Sequence, residues 1–322
     1  MRSHEWSMCG GSQSPRKVTA KSVLVWWVAI GAMVAAVSCG GGSTSGTPTP
    51  TASLKANYVA LVVLENVNYS DVVGSANAPY LNSLMTQGAL ATSYYANVHP
   101  SIGNYLMMTT GAIATTNDSF TGTIAPPDLA MALTGTNRSW KVYAEGIPNV
   151  GYTGGDTGTY LKRHNPFAYF TNVEGTAAAN NIVPFSQLTT DAGGTLANFS
   201  MIVGNIYDVG HNCEPTVTTC TTAIRVQQAD TWLKNTLPQI FSNAGFAGSG
   251  LLAITFDESE SDNTDGGGRV ATVLLGTNVK AGYQATGTYQ HESLLRLMLD
   301  AQGVSTLPGA ASGAPSMEEV WK

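Results

Sequence analysis

The strongest constraint on the fold of this chain is that its most apolar runs stop abruptly at acids and amides. Residues 61–64 run straight into Glu65 and Asn66, and residues 251–256 run into Asp257, Glu258 and Ser259. A short apolar run without alternation belongs to a strand buried on both faces, the condition of a strand inside a parallel sheet. In open sheets of that kind, ligands bind where the strands end at their carboxyl tips. Carboxylates far apart in sequence are therefore expected to meet at one edge of the sheet. A third segment, HPSIGNY at 99–105, places a serine at the mouth of a helix close behind an apolar strand.

The rest of the chain alternates in the same manner. Strands are expected at 58–64, 89–95, 139–145, 199–205, 251–256 and 270–275. Helices are expected at 78–87, 102–110, 127–133 and 291–302, with another capped by Asp230 and running toward Ile240. This alternation gives an α/β fold, a mostly parallel central sheet with helices on both faces, in a single domain. A hydrophobic content of 43% supplies a large core, and a net charge of −6 offers no basic stripe for nucleic acid.

Residues 1–39 read as an export signal. Arg16, Lys17 and Lys21 precede an apolar run at 23–37, too short to span a membrane comfortably. The run ends at Ala36-Val37-Ser38-Cys39, which resembles a lipoprotein signal with lipidation at Cys39; ordinary cleavage nearby is the alternative. Either way the protein is expected to leave the cytoplasm, with a lipid anchor as its one membrane contact. Residues 40–53, rich in Gly, Ser, Thr and Pro, read as a tether that leaves 54–322 as the catalytic domain. Cys213 and Cys220 form a close pair in an exported chain, so a small structural disulfide is expected; a thiolate metal site is the alternative.

The polar residues at the strand ends carry the chemistry. Pro100 precedes Ser101 and Ile102 opens a helix, so the Ser101 hydroxyl is expected at a helix N-terminus, where free N–H groups attract phosphate. A plain N-cap serine would look the same. Glu65, Asp257 and Glu258 at neighbouring strand tips would raise one another's pKa unless a cation neutralised them. With Asn66 and Ser101 they form the expected ligand set of a hard divalent ion. A metal there would activate the serine and polarise a phosphoryl oxygen. The competing reading makes Glu65 and Asn66 a surface turn and Asp257 and Glu258 the start of an acidic loop.

Six segments carry a resemblance to a known family: VVLENVNYSDVVG, APYLNSLMTQGALATSYYANVHPSIGNYLMMTTG, KRHNPFAYF, NIYDVGH, LLAITFDES and YQHESLLRLM. Their order resembles that of the bacterial phosphoesterase family of secreted acid phosphatases and phospholipases C, within the alkaline phosphatase superfamily. The resemblance implies an alkaline-phosphatase-like fold and an exported, metal-dependent phosphoric ester hydrolase, with Ser101 as nucleophile and a phosphoserine intermediate. His99, His164, His211 and His291 all fall inside these motifs. His211 and His291 are the first choices for phosphate contact, for protonating the leaving oxygen, or for a second metal held with Asp208. His99 and His164 are expected to line the pocket, and Asn117 and Asn205 to add substrate contacts.

The Glu-Asn and Asp-Glu pairs resemble the single-metal branch of the superfamily, which favours one bound ion; Mg, Mn, Ca, Zn and Fe all stay open. The chain ends at Lys322 with no room for the extra domains of large phospholipases, so a phosphomonoesterase with an acid optimum and a small phosphoester substrate is expected. A phospholipase C or other phosphodiesterase acting on phospholipid is the alternative, and a non-catalytic metal- or phosphate-binding surface lipoprotein is a third reading. The sequence is silent on oligomeric state.

Overall fold

The two longest apolar runs lie side by side at the centre of the sheet. In the computed structural model, which describes residues 54–322, β1 (Tyr58–Leu64) and β6 (Gly250–Phe256) pair in parallel with Leu64 opposite Phe256. All of β6 and all but the first residue of β1 are buried. Because each strand's next residue is an acid, this register alone brings Glu65 beside Asp257. The export-signal and tether readings, including Cys39, lie outside the described residues.

Six further strands complete the sheet: β2 (Ala89–Tyr94), β3 (Trp140–Ala144), β4 (Ile182–Pro184), β5 (Phe199–Val203), β7 (Thr272–Gly276) and β8 (Tyr283–Tyr289). Their order is β4-β3-β5-β1-β6-β7-β2-β8. β7 runs antiparallel to both neighbours and every other pairing is parallel. The helices are α1 (Tyr69–Val72), α2 (Pro79–Gln87), α3 (Ser101–Thr110), α4 (Leu129–Thr134), α5 (Gln187–Ala192), α6 (Thr222–Phe241), α7 (Ala244–Ser249) and α8 (His291–Ala301). The α/β class and the mostly parallel sheet follow the sequence expectation. The outer strands β4 and β8 do not: β8 reads YQATGTY, polar and Gly-containing, because an edge strand needs only one buried face.

Asp230 has a different job from the one expected. α6 begins eight residues earlier, with Thr221 accepting from Ile224 N as its cap. Asp230 is buried within α6, and its two carboxylate oxygens accept from the backbone N–H groups of Tyr80 (3.0 Å) and Leu81 (2.7 Å). It therefore caps α2 across the interface between the two helices, where unpaired N–H groups favour an acid.

All ten residues of α3 are buried, which fixes Ser101 rigidly. The helix stops at Gly111, whose φ of +67° favours glycine; a Cβ there would lie 2.3 Å from the Pro308 carbonyl oxygen.

Candidate active site

Glu65 and Asp257 emerge together from β1 and β6, and Glu258 follows. The first residue of α3 meets them: the Ser101 hydroxyl lies 3.2 Å from Glu65 Oε2 and 3.3 Å from Glu258 Oε1. Asn66 closes the ring. Its backbone N–H donates to Asp257 Oδ1 (3.0 Å) and its side-chain Nδ2 donates to Glu65 Oε2 (3.0 Å). It does so at φ 53°, a left-handed conformation that asparagine tolerates better than most residues. The expected set Glu65, Asn66, Ser101, Asp257 and Glu258 is thus one cluster.

The electrostatics of the cluster follow from its depth. Glu65, Ser101, Asp257 and Glu258 are each at most 4% exposed. Burial, then the neighbouring Asp257 charge, holds Glu65 well above the usual carboxylate range. Burial and the Asp257 charge likewise push Glu258 up to about 8. Asp257 is raised by burial, against hydrogen bonds from Ser101 and the Asn66 N–H that pull it down. These acids resist ionising together in a dry site, and a cation among them removes that resistance.

Among the described residues no three His, Cys, Asp or Glu side chains already close on a single point. The donor set nevertheless suits a hard divalent cation: three carboxylates, an amide and a hydroxyl, with Asp257 Oδ2 buried and lacking any hydrogen-bond partner.

The histidines divide. His99 sits in the cluster, with Nδ1 against Glu258 and Nε2 3.2 Å from the Asp262 carbonyl oxygen. His164 is 1% exposed, stacks on Tyr105 with ring centroids 5.3 Å apart, and places Nε2 3.3 Å from Glu65 Oε1. Burial, then the positive charge of Arg163, drives its pKa well below the usual imidazole value. His211 lies at the cluster's rim, half-buried, 5.9 Å from the His164 ring.

His291 is engaged elsewhere. Its Nε2–H donates to the Asp257 carbonyl oxygen (2.7 Å), so Nδ1 is left to accept from the Tyr94 hydroxyl (3.0 Å). Both ring nitrogens are used, the residue is fully buried, and burial pulls its pKa down to about 4. The expectation of a phosphate contact is corrected accordingly: His291 holds the strand end that carries Asp257.

The second-metal group of Asp208, His211 and His291 does not assemble, since each has different partners. Asp208 accepts from Asn205 Nδ2 (2.5 Å), and burial with the adjacent Glu145 carboxyl raises its pKa to about 8. Glu145 in turn accepts from Trp232 Nε1 and from the Asn205 backbone. Asn205 and Asn117 are tied into their own turns, Asn205 Oδ1 to the N–H of Tyr207 and Asn117 Oδ1 to that of Ser119. Asn205 thereby has both its Nδ2 and its Oδ1 engaged, whereas Asn117 uses only its Oδ1 in its turn. Cys213 and Cys220 form a disulfide with a Cα–Cα distance of 5.6 Å, so the thiolate site is ruled out.

Three participants escaped the sequence. Tyr105 donates its buried hydroxyl to Glu65 Oε1; it lies four residues after Ser101 on the same helix face, a spacing that would have identified it. Asp118, next to Asn117, accepts from the Ile102 N–H (3.1 Å) at the start of α3 and faces Arg163 Nε at 3.6 Å. Arg163 also lies 3.4 Å from His211 Nε2 and so brings a guanidinium to the rim.

This sheet, with a polar cluster at its carboxyl edge, is the fold of the alkaline phosphatase superfamily. A superfamily member from Vibrio parahaemolyticus superposes with a TM-score of 0.55 at 15% identity, covering 80% of this chain and 69% of that one. The lipoteichoic acid synthase LtaP from Listeria monocytogenes gives 0.56 at 12%, covering 83% and 75%. Within that fold the chain belongs to the phosphoesterase family, whose model matches residues 73–305, and it is a hydrolase of phosphoric esters. It is 28% identical to a phosphatidylinositol-3-phosphatase of Mycobacterium tuberculosis, over 94% of this chain and 92% of that protein. It is 26% identical to an acid phosphatase of Aspergillus fumigatus, over 80% of this chain but 58% of that enzyme's length.

Proposed function

We propose that the chain is an exported phosphomonoesterase that uses Ser101 as its nucleophile. The observation that carries this reading is the Ser101 hydroxyl, set at the first turn of a fully buried helix and within 3.3 Å of two buried carboxylates. Export rests on the leader-like composition of residues 1–39; among the described residues no helix is long and apolar enough to cross a membrane.

Substrate phosphate would bind at the start of α3, with Arg163 at the rim supplying positive charge. As the Ser101 oxygen bonds to phosphorus, its proton passes to Glu65 or Glu258 and the ester P–O bond breaks. His211, at the rim with Nδ1 2.8 Å from Asn212 Oδ1 and Nε2 3.4 Å from Arg163 Nη2, is the histidine assigned to protonate the departing alcohol oxygen. Water then attacks the phosphoserine, releasing phosphate and restoring the hydroxyl. Tyr105 holds Glu65 in place by donating its hydroxyl, His164 packs against Tyr105 beside it, and Asn66 links Glu65 to Asp257. Glu65, Asn66, Ser101, Asp257 and Glu258 would hold a divalent cation, which when bound supplies Lewis acidity and lowers the pKa of the serine hydroxyl.

The test is hydrolysis of p-nitrophenyl phosphate by wild type and Ser101→Ala, each with and without chelator. The expected result is a loss of about 10³-fold or more in the variant, with unfolding temperature retained, and a chelator loss reversed by added metal. Wild-type turnover by Ser101→Ala would refute the nucleophile. A parallel assay on a diester and on phosphatidylcholine separates the phosphomonoesterase from the phospholipase C reading.

A further inference from the structure

The mouth of α3 already holds an acid where substrate phosphate has to go. Pro100, at the N-cap position, offers no side-chain hydrogen bond to the first turn of the helix. Asp118 supplies one from outside: its Oδ1 accepts from the N–H of Ile102 (3.1 Å), the residue directly after Ser101. Its Oδ2 faces Arg163 Nε at 3.6 Å, a buried atom with no hydrogen-bond partner. One carboxylate thus meets both the helix N–H and the guanidinium that a phosphoryl group at Ser101 would use.

Asp118 is held differently from a structural cap such as Asp230. Asp230 is buried and gives both oxygens to N–H groups of α2. Asp118 is half-buried, and among the described residues its one hydrogen bond is to Ile102. The turn that carries it is anchored without the carboxylate: the Phe120 N–H donates to the Asn117 carbonyl oxygen (2.8 Å), and the Phe120 ring stacks on Tyr169 at 5.8 Å. The side chain can therefore leave α3 by rotation while the turn stays in place. Its charge also reaches the reacting groups. Burial and Asp257 do most to raise Glu258, and Asp118 adds to them; a phosphate dianion in the same place meets the same repulsion. Asp156 is the contrast. It lies 3.8 Å from Arg163 Nη1, but its Oδ1 accepts from the Lys162 N–H (2.8 Å), and among the described residues it makes no hydrogen bond to α3.

We propose that the Asp118 carboxylate occupies the phosphoryl subsite of the free enzyme, yields the Ile102 N–H and Arg163 to the incoming ester, and takes them back as product phosphate leaves. The proposal rests on the Ser101 site described above. Asp118 is then a built-in competitor that keeps free phosphate weakly held, so that turnover is less inhibited by its own product.

The experiment titrates inorganic phosphate into metal-supplemented wild type, Asp118→Ala, Asp118→Asn and Asp156→Asn by calorimetry at low ionic strength, with phosphate inhibition of p-nitrophenyl phosphate hydrolysis measured in parallel. Asp118→Ala is expected to tighten the Kd for phosphate by about tenfold, and the competitive inhibition constant should follow it. Asp118→Asn should tighten it by less, because its amide oxygen can still accept from the Ile102 N–H. Asp156→Asn removes an equal charge beside Arg163 and should stay within about threefold of wild type. An acid that merely caps α3 predicts otherwise: Asp118→Ala would lower the unfolding temperature and leave phosphate affinity unchanged or weaker. That result overturns the proposal, as does equal tightening by Asp156→Asn. If Asp118→Ala does not fold, Asp118→Asn decides alone, and a Kd no tighter than wild type overturns the proposal. Absence of p-nitrophenyl phosphate hydrolysis in metal-supplemented wild type would instead strike at the Ser101 site, so the two failures are distinguishable.

Discussion

Replacing His291 with glutamine separates a scaffold role from a chemical one. The imidazole is fully buried, donates from Nε2 to the Asp257 carbonyl oxygen and accepts at Nδ1 from Tyr94. Protonating Nδ1 puts a charge in a dry site and removes the acceptor that Tyr94 uses. Burial accordingly takes the pKa from 6.5 to about 4. A histidine depressed in the folded state contributes stability that is complete above the unfolded value of 6.5 and is lost as pH falls toward 4. At about 1.4 kcal/mol per tenfold change in proton affinity, the loss across that window is about 3 kcal/mol. A glutamine amide can still donate to the carbonyl and accept from the tyrosine, but it does not titrate. Urea unfolding of both proteins between pH 8 and 4 reads the effect. The stability gap between wild type and His291→Gln should stay constant above about pH 7 and move by about 3 kcal/mol in the variant's favour by about pH 4. Phosphatase activity at neutral pH should stay within about tenfold of wild type. A gap independent of pH refutes the burial argument, and a loss of about 10³-fold or more in activity returns His291 to the reacting atoms.

Tyr105→Phe removes the hydroxyl that Glu65 accepts from and leaves a buried carboxyl oxygen less satisfied; denaturant unfolding should show a loss of about 1–3 kcal/mol. Burial and Glu145 raise Asp208 to about 8, so its contribution to stability is present below its ordinary value of 3.8 and is lost as pH rises toward 8. Asp208→Asn should therefore gain on wild type in melting temperature across that window and level off above it; a gain that grows toward low pH would refute the Glu145–Asp208 pairing.

Much of the site was written locally in the chain. The apolar runs that stop at Glu65 and Asp257 announce buried strands with polar tips, since an unbroken hydrophobic run has to be covered on both faces. Ser101 was recognisable because Pro100 and Ile102 bracket a helix start, and Gly111 because a helix ending there needs a left-handed residue. The disulfide followed from two nearby cysteines in a chain read as exported.

Partnership was decided by the tertiary structure. Sequence marked His291 and His211 as equals, but packing ties one to a backbone carbonyl and Tyr94 and leaves the other at the rim beside Arg163. It marked Asp230 as the cap of its own helix, yet the carboxylate serves the N–H groups of α2, 149 and 150 residues away. Asp208 carried a ligand's residue type and came to rest against Glu145. Periodicity and capping act over a few residues and leave their mark in any window of the chain. Hydrogen-bond partners and burial depend on which distant elements a packed core presses together, and so they exist only once the β1–β6 register and the seat of α3 are set.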